Sequence, residues 1–246
     1  MKVIALYSMK GGVGKTASAV NISYLAARDG RRSLLVDLDP QGSSSFYFRV
    51  RPGGGHGTKT LLKGGKKISK NIRETDFENL DILPADMSYR NLDLILDGTE
   101  KREKVLQKNL SAFKKEYDYI FLDCPPNITL VSENIFHAAD IILVPFIPTT
   151  LSWLTYDKLL AFFREIEMKR RKLFPFFSMV ERRKKLHREM IEILPAEKKR
   201  FLKSMIPYSS DVERMGLERA PLPATHPASP ATRAFENLWR EVKEID

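Results

Sequence analysis

The sequence predicts an α/β fold: a mostly parallel, twisted β-sheet flanked by helices on both faces. Two observations carry this. Short β-branched runs alternate with amphipathic or apolar-faced stretches, which is the pattern of βαβ units. Several runs, such as Ile141-Ile142-Leu143-Val144, are apolar at every position rather than at every second one, as strands buried on both faces must be. A length of 246 residues suits one large domain, expected to span 1–246.

Taken in order, the predicted strands are 2–8, 33–37, 80–84, 118–123, 140–146, 174–179 and 202–206. The opening run Met1-Lys2-Val3-Ile4-Ala5-Leu6-Tyr7-Ser8 is too short for a signal peptide, and a Gly/Lys loop follows at once, so it reads as the first strand. Helical stretches are expected at 16–29, 101–115, 130–139, 151–168 and 182–195. The proline-rich segment 220–230 reads as irregular. A last helix over 231–244 places Phe235, Leu238 and Val242 on one side. The glycine-rich 52–57 follows no clear strand and reads as a plain loop. No run of about 18 apolar residues occurs, so no membrane span is expected. The single cysteine, Cys124, excludes an internal disulfide and a cysteine metal cluster, and fits a reducing cytoplasm. The four histidines show no ligand spacing.

The net charge of +10 is concentrated. Residues 169–203 hold 13 Lys/Arg against 4 acids. Such a block is an electrostatic footprint for a polyanion; the bland alternative is a solvated basic face.

The chemistry-bearing motif is Met9-Lys10-Gly11-Gly12-Val13-Gly14-Lys15-Thr16, between the first strand and the first helix. Its glycines let the backbone bend and aim successive N–H groups at phosphate oxygens. The helix N-terminus behind it adds a positive dipole end. Lys15 is placed to reach the β/γ-phosphates and Thr16 to ligate Mg2+. The general phosphate-loop pattern has glycine where this chain has Met9; glycines 11, 12 and 14 fit a variant. Two apolar strands end in carboxylates, Leu34-Leu35-Val36-Asp37-Leu38-Asp39 and Tyr119-Ile120-Phe121-Leu122-Asp123. A carboxylate at a strand end beside a phosphate loop can hold magnesium directly or through water. Each Asp alone could simply cap the element that follows.

With these residues on view, the chain resembles the ParA/MinD group of deviant Walker P-loop ATPases, most closely the ParA (Soj-like) branch, over nearly its whole length. Lys10–Thr16 is similar to the variant Walker A motif, Asp37-Leu38-Asp39-Pro40-Gln41-Gly42 to the second motif. Leu80–Ala85, Asp123-Cys124-Pro125-Pro126 and Ile206-Pro207 with Glu213, Arg214 and Gly216 match as well. The resemblance implies ATP and Mg2+ as cofactors and an ATPase activity that is weak alone. It makes Lys10 the signature lysine that reaches a partner subunit's nucleotide in an ATP-sandwich homodimer. Lys15 serves its own subunit's phosphates, Thr16, Asp123 and Asp39 serve magnesium, Asp39 orients the attacking water, and Asp37 supports it. The nucleotide contacts are Gly11, Gly12, Val13, Gly14, Lys15, Thr16 and Ala17, with Pro207 and Tyr208. The ATP dimer is expected to bind nonspecific double-stranded DNA. A ParB-like or other cargo-adaptor protein then stimulates hydrolysis, so that a DNA or protein cargo is segregated or positioned over the nucleoid.

The expected DNA contacts are Arg182, Arg183, Lys184, Lys185, Arg188, Lys198, Lys199 and Arg200. Phosphate contacts of this kind give sequence-blind, salt-sensitive affinity. Two departures stand out: Ala17 replaces a second hydroxyl residue, and Tyr208 stands where relatives often carry arginine. The rival readings are a MinD-like membrane ATPase and a metabolic enzyme of the same fold. The chain ends in the mixed Trp239–Asp246 rather than a basic amphipathic helix, and an iron–sulfur reductase would need cysteines it lacks. No membrane partner is expected.

Overall fold

The computed structural model describes residues 1–51, 57–64, 66–98, 102–197 and 200–245. The strands are β1 (Lys2–Leu6), β2 (Ser33–Asp37), β3 (Arg73–Glu74), β4 (Leu80–Leu83), β5 (Tyr119–Asp123), β6 (Ile141–Phe146), β7 (Leu173–Val180) and β8 (Met205–Pro207). They form one sheet in the order β3-β4-β2-β5-β1-β6-β7-β8, parallel except for β3 against β4. β2 and β6 are buried at every residue, as their unbroken apolar sequences require.

Alternation along β1 sorts the core into two layers. Ile4 and Leu6 face a cluster built with Ile22 and Leu25 of α1 (Lys15–Arg28). Val3, Ala5 and Tyr7 face the other layer, with Phe136 and Phe163.

The intervening helices of the first half are α2 (Ser43–Tyr47), α3 (Gly57–Lys63), α4 (Lys66–Ser69), α5 (Leu92–Asp97) and α6 (Val105–Leu110). α7 (Leu130–Ala138) and α8 (Thr150–Glu165) carry Phe136 and Phe163 into the second layer. α9 (Lys185–Glu197), α10 (Ser210–Glu218) and α11 (Leu222–Thr225) follow, and α12 (Pro230–Lys243) lays Phe235, Leu238, Trp239 and Val242 on the α1 face.

Four expectations change. The stretch 101–115 is not one helix: α6 covers 105–110, with 3₁₀ turns at 102–104 and 111–113. The last predicted strand starts at Met205, because Phe201 leaves the ladder to pack against Phe146, Tyr156 and Phe177. Segment 220–230 is not irregular throughout, since Leu222 is buried in α11 and its N–H donates to Asn21 Oδ1 at 2.8 Å. Residues 182–184 form a turn ahead of α9. Most of the glycine-rich 52–57 lies outside the described residues.

This order puts β1 between β5 and β6, where the connections diverge to opposite edges of the sheet. Ligands of open α/β sheets bind at such a switch point, beyond the carboxyl ends of the strands.

Candidate functional site

The loop after β1 folds around two glycines held at positive φ, Gly12 at 68° and Gly14 at 89°. A side chain at 14 would also strike Ser178 Oγ, 2.9 Å from a Cβ built there. Gly14 is the N-cap of α1 and supplies no side-chain cap, so no N-cap side chain occupies the first-turn N–H groups, the groups by which a helix N-terminus can bind an anion. Val13 and Lys15 are buried; Gly11 and Gly12 are exposed; Thr16 and Ala17 are half-buried. Lys15 Nζ donates to the Lys10 carbonyl at 3.3 Å, and Lys10 N–H donates to Ser8 Oγ at 3.2 Å. The two lysines of the motif are thus joined through backbone, which leaves the Lys10 ammonium out of that bond. Burial pushes the Lys15 pKa down, against the pull of Asp123 and Asp39.

Asp37 and Asp123 stand opposite one another at the ends of β2 and β5. Asp37 is fully buried and Asp123 nearly so. Asp37 Oδ2 accepts from Ser45 N–H at 2.8 Å and Ser45 Oγ at 2.7 Å. Asp123 Oδ2 accepts from Ser44 Oγ at 2.8 Å. Oδ1 of each carboxyl has no hydrogen bond. Burial raises the pKa of both. Asp37 is pushed further by the Asp123 charge, while Ser44, the Thr16 hydroxyl and Lys15 favour the ionised form of Asp123. Two adjacent buried carboxyls with open oxygens fit a hard cation. No group of three His, Cys, Asp or Glu capable of holding a metal occurs among the described residues. Magnesium does not need one, since one or two carboxylates and substrate phosphates suffice.

Asp39 is half-buried on the connecting turn, where its Oδ1 accepts from Gln41 N–H at 3.0 Å. Asp37 is set apart from it: it holds the start of α2, because Ser45 Oγ also accepts from Ala85 N–H at 2.9 Å. Pro207 and Tyr208 close β8 beside Val180. The half-exposed Tyr208 hydroxyl donates to Glu213 Oε1 at 2.5 Å, which raises its pKa.

The basic window resolves into braces and a cleft. Arg188 Nη1 donates to the carbonyls of Arg182 and Arg183 at 3.0 and 3.5 Å. Arg200 donates to the Arg171 carbonyl at 2.6 Å and lies over Phe174. Both therefore hold local structure. Lys184 pairs with Glu181 and Lys185 with Glu189 on the surface. Arg183 is exposed on the same turn. Lys198 and Lys199 lie outside the described residues. Arg182 joins Lys203, Arg233 and Arg240 around one cleft, with Glu241 and Glu244 also lining it. Glu241 is committed: it accepts from Lys203 N–H and Ser204 N–H, each at 2.7 Å, and from Ser204 Oγ. The sequence reading missed Arg233 and Arg240; their seven-residue spacing puts both on one face of α12. It also missed Ser44 and Ser45, signalled by the Ser43-Ser44-Ser45 run after the carboxylate motif. A hollow at the opposite edge, lined by Thr60, Asn71, Arg73 and Tyr89, touches Leu83 and Pro84 of the Leu80–Ala85 motif but none of the phosphate-loop residues or strand-end carboxylates.

His187 steadies the cleft's turn. It is buried, and its Nδ1 accepts from Glu181 N–H at 3.1 Å, which only an unprotonated Nδ1 can do. Burial and the Lys184 charge lower its pKa, with Glu181 opposing. An unfolded histidine titrates at about 6.5. The bond's contribution is therefore intact above that pH and is lost as pH falls toward the lower folded value. Amide exchange should show Glu181 N–H losing protection from pH 7 to pH 5.5, and His187→Gln should abolish that dependence.

Comparison with known proteins agrees with this geometry. A family profile described as an AAA domain matches residues 1–175. The chain is similar to the Bacillus subtilis sporulation initiation inhibitor protein Soj, 37% identical over 145 residues, 58% of this chain and 57% of that relative's length. It is 30% identical to the virulence plasmid ParA family protein pGP5-D of Chlamydia psittaci across 99% of this chain and 95% of that protein. A Borrelia burgdorferi structure described as a plasmid partition protein bound to AMPPNP superposes with a TM-score of 0.83 at 25% identity, covering 99% of both chains. The phosphate loop, the paired strand-end carboxylates and these matches coincide, and the chain belongs to this AAA-domain family and, within it, to the Soj-like branch of the ParA/MinD P-loop ATPases.

Proposed function

We propose that the chain is an ATP-dependent dimerising switch that binds nonspecific DNA in its ATP state and hydrolyses ATP when a ParB-like or other cargo-adaptor protein stimulates it. The observation that carries the nucleotide half is the pairing of the Gly12–Gly14 loop with Lys15, Thr16 and the open carboxyl oxygen of Asp123. Lys15 and the α1 N-terminus hold the phosphates. Thr16 and Asp123 hold magnesium, which when bound neutralises charge developing on the transferred phosphoryl group. Asp39, on a turn fixed at both ends, orients the attacking water.

Dimerisation finds support beside Lys10. Val13 and Lys10 share a cleft with Ser152 and Thr155 of α8, and on that helix's first turns Leu151 and Leu154 are 63% and 53% exposed. A second copy seated on this face would cover them and bring its nucleotide to Lys10. DNA binding is supported by the Arg182, Lys203, Arg233 and Arg240 cleft, where Glu241, one of its two carboxylates, is held by backbone amides. The chain then works in the cytoplasm, on the nucleoid. No helix among the described residues is long and apolar enough to cross a bilayer. The apolar face of α12 is also already buried at Phe235, Leu238 and Trp239.

The test is binding to nonspecific duplex DNA with ATP, with ADP and without nucleotide, across a salt series. Tight binding is expected only with ATP. If four cations per protomer meet phosphates in a dimer, log affinity falls against log salt with a slope of up to about −7. Equal binding in all three states, or none in any, would overturn the switch.

A further inference from the structure

We propose that Ser44 is a positioning residue for magnesium: its hydroxyl fixes the Asp123 carboxylate so that the opposite oxygen stays open to the ion. The inference rests on the ATP-magnesium reading above. A carboxylate at a strand end can turn about its last bond, and a turned carboxylate presents the wrong edge. Ser44 Oγ restricts that freedom by donating to Asp123 Oδ2 at 2.8 Å, and it acts on this carboxylate more strongly than the Thr16 hydroxyl does. Oδ1 is left buried with no hydrogen bond. Ser44 is itself fully buried, so water cannot replace its hydroxyl cheaply.

The neighbouring residue does a parallel job on the other carboxyl, with a different outcome. Ser45 gives both its N–H and its hydroxyl to Asp37 Oδ2 and accepts from Ala85 N–H. That arrangement ties α2 to β2 and to the segment after β4. Two consecutive serines in the first turn of α2 thus divide the work. Ser45 anchors the helix; Ser44 aims the ligand. Between them and β2 lies the turn carrying Asp39, so the same pair closes the loop on which the water-orienting carboxylate sits. Hydrogen bonds behind a metal ligand commonly change metal affinity by about 10- to 100-fold.

The experiment titrates Mg2+ into the full-length chain with a fluorescent ATP analogue at fixed concentration, alongside nucleotide binding and thermal melting in EDTA. Ser44→Ala should weaken apparent Mg2+ affinity by about tenfold or more and leave binding in EDTA unchanged. Ser44→Thr, which keeps the hydroxyl, should return affinity to within about twofold of the natural chain. Ser44→Cys keeps the volume with a poor donor and should behave like alanine, which covers the case where alanine disturbs folding. Mg2+ affinity unchanged in the Cys and Ala variants, or a Thr variant as weak as Ala, would overturn the proposal. A natural chain whose nucleotide binding ignores Mg2+ would overturn the underlying reading, and the role of Ser44 with it.

Discussion

Lys10→Ala should leave each chain able to bind ATP while abolishing its ATP-dependent dimer and lowering hydrolysis at least about 100-fold, or about 2.7 kcal/mol of transition-state stabilisation. The structure explains why binding should survive. Lys15 Nζ is held by the Lys10 backbone carbonyl, and the Lys10 N–H by Ser8 Oγ, so truncating the side chain removes only the ammonium. Alanine at this position keeps both backbone bonds, and the bend of the loop comes from Gly12 and Gly14. Lys15→Ala is the contrast: it removes the buried cation itself, and nucleotide affinity should go with it. Sedimentation of Lys10→Ala with ATP and with ADP, together with its turnover rate, reads both halves. A variant that still dimerises with ATP and hydrolyses at the natural rate would show that no cation is delivered across the interface.

The candidate nucleotide site was legible because its parts are local or end-of-strand. Gly11, Gly12, Gly14, Lys15 and Thr16 fall within six consecutive residues, and Asp37 and Asp123 each end a strand directly after an apolar run. What the sequence could not reveal is set by tertiary contact. β3 is two exposed polar residues, Arg73 and Glu74, made a strand only by pairing with Ile82 and Asp81. Asp37 and Asp39 look alike in sequence; one is sealed under α2 by Ser45, and the other lies on an accessible turn. Phe201 and Leu202 have strand-like character, yet Phe201 fills an aromatic cluster and Leu202 N–H donates to the Pro175 carbonyl outside any ladder. Charge density marked the region of the cleft but not which cations line it. Arg188 and Arg200 turn their guanidinium groups back onto carbonyls, whereas Arg233 and Arg240 reach the cleft from a helix more than 30 residues further on.

That distinction yields a sharp test of the proposed DNA surface. Arg182→Glu with Arg233→Glu reverses two cleft cations from separate elements. It should weaken ATP-dependent binding to nonspecific duplex DNA by more than about 100-fold near physiological salt, and two lost contacts per protomer should make the salt slope shallower by about 3 to 4. Lys184→Glu with Lys185→Glu changes the chain's net charge by the same amount. Those lysines, however, already pair with Glu181 and Glu189 on the open surface, where exposed pairs contribute little and long-range fields are screened. The second pair should cost at most about tenfold. ATP binding should be unchanged in both, because neither pair touches the loop at 10–16. If the two pairs weaken DNA equally, the affinity comes from diffuse charge and the cleft has no special part. If neither does, the basic window is a solvated face and DNA is not the partner of the ATP state.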